Sequence, residues 1–67
     1  MKLEANKYYL VDGVKMKCHI VREHGIHTFQ LVDDAGRDKI VRMENSVEVK
    51  DWGTRIIDES KHEIKEA

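Results

Sequence analysis

The chain has no proline, one cysteine, one tryptophan and one phenylalanine among its 67 residues. Without proline no turn is fixed by a locked φ and no element is broken by a missing amide, so turns must come from glycine and its polar neighbours. A lone cysteine cannot make an internal disulfide. That excludes the disulfide-stapled class of small secreted domains and points to a reducing compartment, with the cytoplasm as the expected location. No apolar run approaches the ~20 residues needed to cross a bilayer. The opening "MKLEANKYYLVDG" also has no apolar run of signal-peptide length, so a soluble chain with no membrane partner is expected. An excess of charge is missing too. Twelve Lys and Arg stand against thirteen Asp and Glu, for a net charge of -1, so the molecule lacks the overall positive field that captures nucleic-acid phosphates.

What is present is a chain 40% hydrophobic and 37% charged, a balance that suits a folded mini-domain with a charged exterior rather than a disordered segment. A chain of this length holds one domain with a small core. Glycines do the punctuating: Asp12-Gly13, His24-Gly25, Gly36 within "DDAGRD" and Trp52-Gly53 break the chain at the spacing of consecutive short strands. Asp12-Gly13 suits a type I′ hairpin turn, in which both central residues take positive φ. It joins "KYYLV" to "VKMKCHIVRE". There Val14, Met16, Cys18 and Ile20 alternate with Lys15, Lys17 and His19, a period of two that belongs to a strand.

A turn at His24-Gly25 places Ile20 opposite Phe29, Cys18 opposite Leu31, His19 opposite Gln30 and Lys17 opposite Val32. A further turn around Ala35-Gly36-Arg37 returns "KIVRM", with Val41 and Met43 toward Leu31 and Phe29. The stretch "SVEVK" then offers Val47 and Val49 to the core, and "TRII" supplies a last strand. The closing "DESKHEIKEA" has few apolar anchors and reads as a frayed helix turn or tail. Five short strands with tight turns protect their edges by curling into a barrel. The expected architecture is therefore all-β, a small antiparallel five- or six-stranded barrel over 1–57, with a charged C-terminal tail at 58–67.

The order "C-H-I-V" on one strand, "F-Q-L-V-D-D-A-G" on the next and then "I-V" resembles the SH3-like small barrels, most closely their Tudor branch. The resemblance covers roughly Tyr8 to Lys50 and rests on apolar spacing plus the Asp33-x-x-Gly36 turn. It implies a binding module without catalytic machinery. Tudor domains hold methylated side chains in a cage of aromatics, whose ring faces attract a cation. Here the matching aromatic, Phe29, is needed for the core, while Tyr8, Tyr9 and Trp52 have no assigned cage position. The glycine pattern of ribosomal and transcription-factor barrels is absent.

Cys18, His19, His24 and His27 have the chemistry of zinc ligands. In the expected register, however, Cys18 and His27 share the inner face, His19 lies on the outer one and His24 sits in the turn, so no metal or other cofactor is expected. Cys18 needs an adjacent base to act as a nucleophile, and neighbouring strand residues such as His19 point away from it. Asp33 and Asp34 suit local hydrogen bonds in a turn. No enzyme activity is expected.

The outer face of the central strands is expected to carry Lys15, Lys17, His19 and Val21, then Thr28, Gln30 and Val32, then Ile40 and Arg42. Apolar residues among basic ones mark a contact patch, unless the segment with Ile56 and Ile57 folds across and covers them. Trp52 is either a partner anchor or a cap on the open end of the barrel. The first functional reading is a non-enzymatic protein-interaction module that docks a protein partner, or a second copy, through Lys15, Lys17, His19, Gln30, Val32, Ile40, Arg42 and Trp52. The runner-up is a nucleic-acid-binding barrel that uses Lys15, Lys17, Lys39 and Arg42 beside the Tyr8-Tyr9 pair. A third reading is a compact inhibitor or adaptor of a larger enzyme, of the kind that phages and mobile elements carry.

Overall fold

A computed structural model describes residues 2–39, 41–42 and 50–67, with the backbone alone at 41, 42, 50 and 51. The described residues form an all-β domain with seven strands. These are β1 (Tyr8–Val11), β2 (Val14–Ile20), β3 (Ile26–Leu31), β4 (Val41–Arg42), β5 (Lys50–Asp51), β6 (Thr54–Asp58) and β7 (Ile64–Glu66). Five of them make one antiparallel sheet in the order β6-β3-β2-β1-β7, and β4 pairs with β5 separately. Among the described residues the sheet is open, with β6 and β7 as its two edges, where a closed barrel was expected. Ile40, Met43, Val47 and Val49 lie outside the described residues.

The first hairpin follows from its turn. Asp12 and Gly13 have φ of 49° and 82°, the type I′ geometry whose twist matches that of the flanking strands. Val11 then meets Val14, and Tyr9 meets Met16.

The second hairpin departs from the expected register in two ways. Its connection runs from Val21 to Gly25, with a β-turn closed by the Gly25 amide on the Arg22 carbonyl. This longer loop shifts the pairing by two residues, so Cys18 faces Phe29 and Met16 faces Leu31. A two-residue shift preserves the faces, which is why the core residues are still those the alternation selects. In addition, Cys18 and Ile20 pair with the consecutive residues Phe29 and Thr28. His19 is thus the extra residue of a β-bulge, and the bulge rotates Ile20 onto the outer face beside Thr28. Ile20 is exposed rather than buried.

The inner face carries Tyr9, Val11, Met16, Cys18, Phe29 and Ile57, covered in part by Leu3 and flanked by Leu31 and Ile64. Phe29 and Cys18 are fully buried, and the Tyr9 ring meets Phe29 edge-on at 6.2 Å. Full burial of a residue of Phe29's size contributes about 3 kcal/mol, a large share for so small a core. Val14, expected inside, is half exposed at the hairpin tip.

The C-terminal segment is neither a tail nor a helix turn. Asp58 to Lys61 form a turn, closed by the Lys61 amide on the Asp58 carbonyl. The chain then lays β7 against β1, pairing Val11 with Ile64 and Tyr9 with Glu66. Asp12 fixes this strand: its Oδ1 accepts the Glu63 amide at 2.9 Å and its Oδ2 meets His62 Nδ1 at 2.6 Å. Pairing with β1 supplies the backbone partners that a local helix would otherwise provide, so the low apolar content of the segment does not leave it loose.

Candidate functional site

The outer face divides into two regions. One follows the lateral row Tyr8, Lys17, Gln30 and Thr54, fixed by successive pairings across four strands. The turn from Asp33 to Arg37 reaches over its β1 end. The Asp33 carboxylate holds that turn by accepting the amides of Ala35 and Arg37, and the Tyr8 hydroxyl donates to the Gly36 carbonyl at 2.9 Å. Lys15 lies over the Tyr8 ring, 5.3 Å from its centroid. At the other end Gln30 donates to the Trp52 carbonyl at 2.7 Å, and its amide oxygen accepts the Thr54 hydroxyl at 3.4 Å.

This region corrects part of the expected contact patch. Val32 is buried, bridged to Asp38 on the far side of the turn. The Gln30 amide is committed to the corner between β5 and β6. Thr28, expected on a wet surface, is buried, with its hydroxyl accepting the Arg22 guanidinium at 2.8 Å. Lys15 and His19 are exposed and Lys17 is half-buried. Trp52 is 63% exposed. Arg42 lies in β4, where only its backbone is described, and Ile40 falls outside the described residues. Ile56 and Ile57 belong to β6, so they do not fold across the outer face. Tyr9 is in the core, with its hydroxyl accepting the Glu4 amide, so the two tyrosines do not form a joint stacking surface.

The second region was not expected. Pairing aligns Ile20, Thr28 and Ile56 across β2, β3 and β6, and Ile26 lies two residues before Thr28 on the same face. Around the buried threonine stand three exposed isoleucines: Ile20 at 41%, Ile26 at 39% and Ile56 at 64%. One of them had a sequence signal for exposure. Ile56 and Ile57 are adjacent on a strand, so one had to face outward. For Ile20 the strict alternation pointed inward, and only the bulge reverses it.

On the opposite face, behind this corner, His27 is buried between β2 and β6. Its Nδ1 accepts the Arg22 amide at 3.0 Å, so the ring proton sits on Nε2, which donates to Glu59 Oε2 at 2.8 Å. Both ring nitrogens are thereby engaged, and His27 acts as a bracket that fixes the 21–25 loop and the end of β6. Burial pushes the Cys18 thiol above its ordinary pKa, the opposite of an activated nucleophile. His19 is on the bulge and His24 in the loop, where it accepts the Ile26 amide. Among the described residues no three His, Cys, Asp or Glu side chains are placed to hold a metal ion.

Among the described residues no helix is long and apolar enough to cross a membrane. Comparison with protein-family models, with curated proteins and with solved structures found no match.

Proposed function

We propose that the protein is a non-enzymatic interaction module that engages a protein partner through the open corner of its outer sheet face. The observation that carries this reading is the ring of Ile20, Ile26 and Ile56 around Thr28, with Val21 exposed nearby. Single exposed apolar residues are ordinary, but several gathered on one face beside charged groups mark contact surfaces. The resemblance to SH3-like small barrels agrees with a binding role, and Trp52 is a second apolar group available to a partner.

A nucleic-acid role is the weaker reading, because Tyr9 is buried and the hydroxyl of Tyr8 is tied to Gly36. Base stacking needs free ring faces. The test is co-purification from the native host with wild type and an Ile20→Ser/Ile56→Ser variant, each checked for folding, at low and high salt. A protein partner held at both salt concentrations by wild type and lost by the variant is expected. Nucleic-acid capture that disappears with salt, or a protein partner retained by the variant, overturns the proposal.

A further inference from the structure

Arg22 is held more firmly than an ordinary loop residue. Its amide donates to His27 Nδ1 and its carbonyl accepts the Gly25 amide, so its backbone is fixed on both sides. The side chain turns back across the outer face, where Nη1 donates to the Thr28 hydroxyl at 2.8 Å. Thr28 lies at the centre of the isoleucine corner, between Ile20 and Ile56 and two residues from Ile26. A cation thus stands among three exposed isoleucines.

What this guanidinium lacks is an anion. It carries five N–H donors, and Thr28, a neutral acceptor, takes one of them. Nε and Nη2 form the flat fork that matches a carboxylate. They have no protein partner among the described residues, and no carboxylate there pairs with Arg22. The acids at this end of the sheet are turned elsewhere. Asp58, across from Ile26, has its Oδ1 on the Ser60 amide and hydroxyl, and Glu59 is held by His27 on the opposite face. A half-buried charge in apolar surroundings is best matched by an opposite charge that brings apolar neighbours of its own.

We infer that the corner recognises a carboxylate side chain, an aspartate or glutamate, flanked by aliphatic residues in an extended segment of a partner protein. This rests on the reading of the isoleucine corner as a contact surface, and it names what that surface reads. The carboxylate forks onto Nε and Nη2 of Arg22. In an extended segment the residues two before and two after it point the same way, so aliphatic side chains at those positions cover Ile20, Ile26 and Ile56.

Charge selects this occupant over an anionic surface. Glu23 is exposed beside Arg22 in the chain, and Asp58 borders the corner at Ile26. A bilayer or a phosphate backbone spreads its charge widely and would meet these carboxylates as well as the guanidinium. A single carboxylate meets the guanidinium alone. Its aliphatic neighbours also use the isoleucines, for which a phosphate backbone has no counterpart.

Chemical-shift titration tests the inference with an acetylated, amidated peptide, Ile-Ser-Asp-Ser-Ile, and its Asn counterpart. The Asp peptide is expected to shift the Arg22 Nε–H signal and the methyl groups of Ile20, Ile26 and Ile56, and the Asn peptide to bind at least about tenfold more weakly. Arg22→Gln keeps the backbone contacts to His27 and Gly25 and a donor for Thr28. It should lose the same factor while retaining the wild-type circular dichroism spectrum. Equal binding of the two peptides to wild type overturns the inference with no change to the protein. So does an Asp peptide that leaves these signals unmoved at millimolar concentration, or an Arg22→Gln variant that binds it as wild type does. Phosphatidylserine vesicles or an oligothymidylate that bind wild type but not Arg22→Gln also overturn it, in favour of an anionic surface. A host protein lost with Ile20→Ser/Ile56→Ser but kept by Arg22→Gln removes carboxylate recognition while the contact surface stands.

Discussion

Cys18 stands directly opposite Phe29 in the β2–β3 pairing, and neither side chain reaches solvent. The thiol fills the space beside the only phenylalanine of the chain, so cysteine serves here as a small apolar side chain.

That position predicts silence toward thiol reagents. Burial raises the Cys18 pKa and reagents cannot reach the sulfur, so in native buffer Cys18 should react only as fast as the fold opens. The check is the rate of modification by a chromogenic disulfide in native and denaturing buffer. Rapid native-state labelling would place Cys18 outside the core. Phe29→Ala should cost about 3–5 kcal/mol, read as a large fall in the denaturant midpoint or as loss of folding.

Gly53 is fixed by both conformation and space. Its φ is +79°, and a Cβ there would collide with the Lys39 carbonyl oxygen and come within 2.8 Å of Gln30 Nε2. Since Lys39 donates its amide to Leu31, the colliding backbone is itself tied down. Gly53→Ala should destabilise the fold by more than about 1 kcal/mol, where Gly→Ala at a compatible site stabilises. Gly13→Ala, with positive φ but open space around it, should cost less. Thermal melts of the two variants give the comparison.

His27→Leu should leave the Arg22 amide and the Glu59 carboxylate without their partner. One lost buried donor costs about 1–3 kcal/mol, whereas the partly exposed carboxylate is re-solvated by water. The 21–25 loop should loosen before the rest of the sheet, seen as faster amide exchange at Arg22 with little change at Met16.

Acid should loosen β7 through Asp12. Hydrogen bonds from His62 and from the Glu63 amide hold the Asp12 carboxyl below its ordinary 3.8. A depressed carboxyl contributes its stability above the ordinary value and loses it as pH falls through the lower, folded-state value. Below about pH 3.8, then, Glu63 and Lys65 should show chemical-shift changes while Phe29 keeps its native shift. Asp12→Asn keeps a residue that tolerates positive φ and should reproduce the loosening of β7 at neutral pH. Unchanged β7 shifts in that variant would assign the strand's placement to backbone pairing alone.

The parts of the fold legible in the sequence are those governed by short-range rules. Asp12-Gly13 specifies its own turn geometry, Asp33-x-x-Gly36 closes as its side-chain chemistry requires, and the alternation around Met16 and Cys18 selects the buried face. A loop length and a bulge are different in kind. Nothing local in "HIVREHG" states that His19 is extra or that the turn takes five residues, because the loop is held by Thr28, His27 and Glu59 from outside it. The site inherited this blindness: on the outer face Val32 is buried against the Asp38 side of its turn and Gln30 is tied to the Trp52 carbonyl, while Ile20 turned out to join Ile56.

The C-terminal strand was hidden for a similar reason, since its partner is far away in the chain. Asp12 and Glu63 are 51 residues apart, yet each holds the other in place. During synthesis β1, β2 and β3 can assemble as successive neighbours, but the outer flank of β1 stays bare until its distant mate has been made. Newborn chains therefore spend their growth with an adhesive flank on show, and prompt completion is what shields them from sticking to one another.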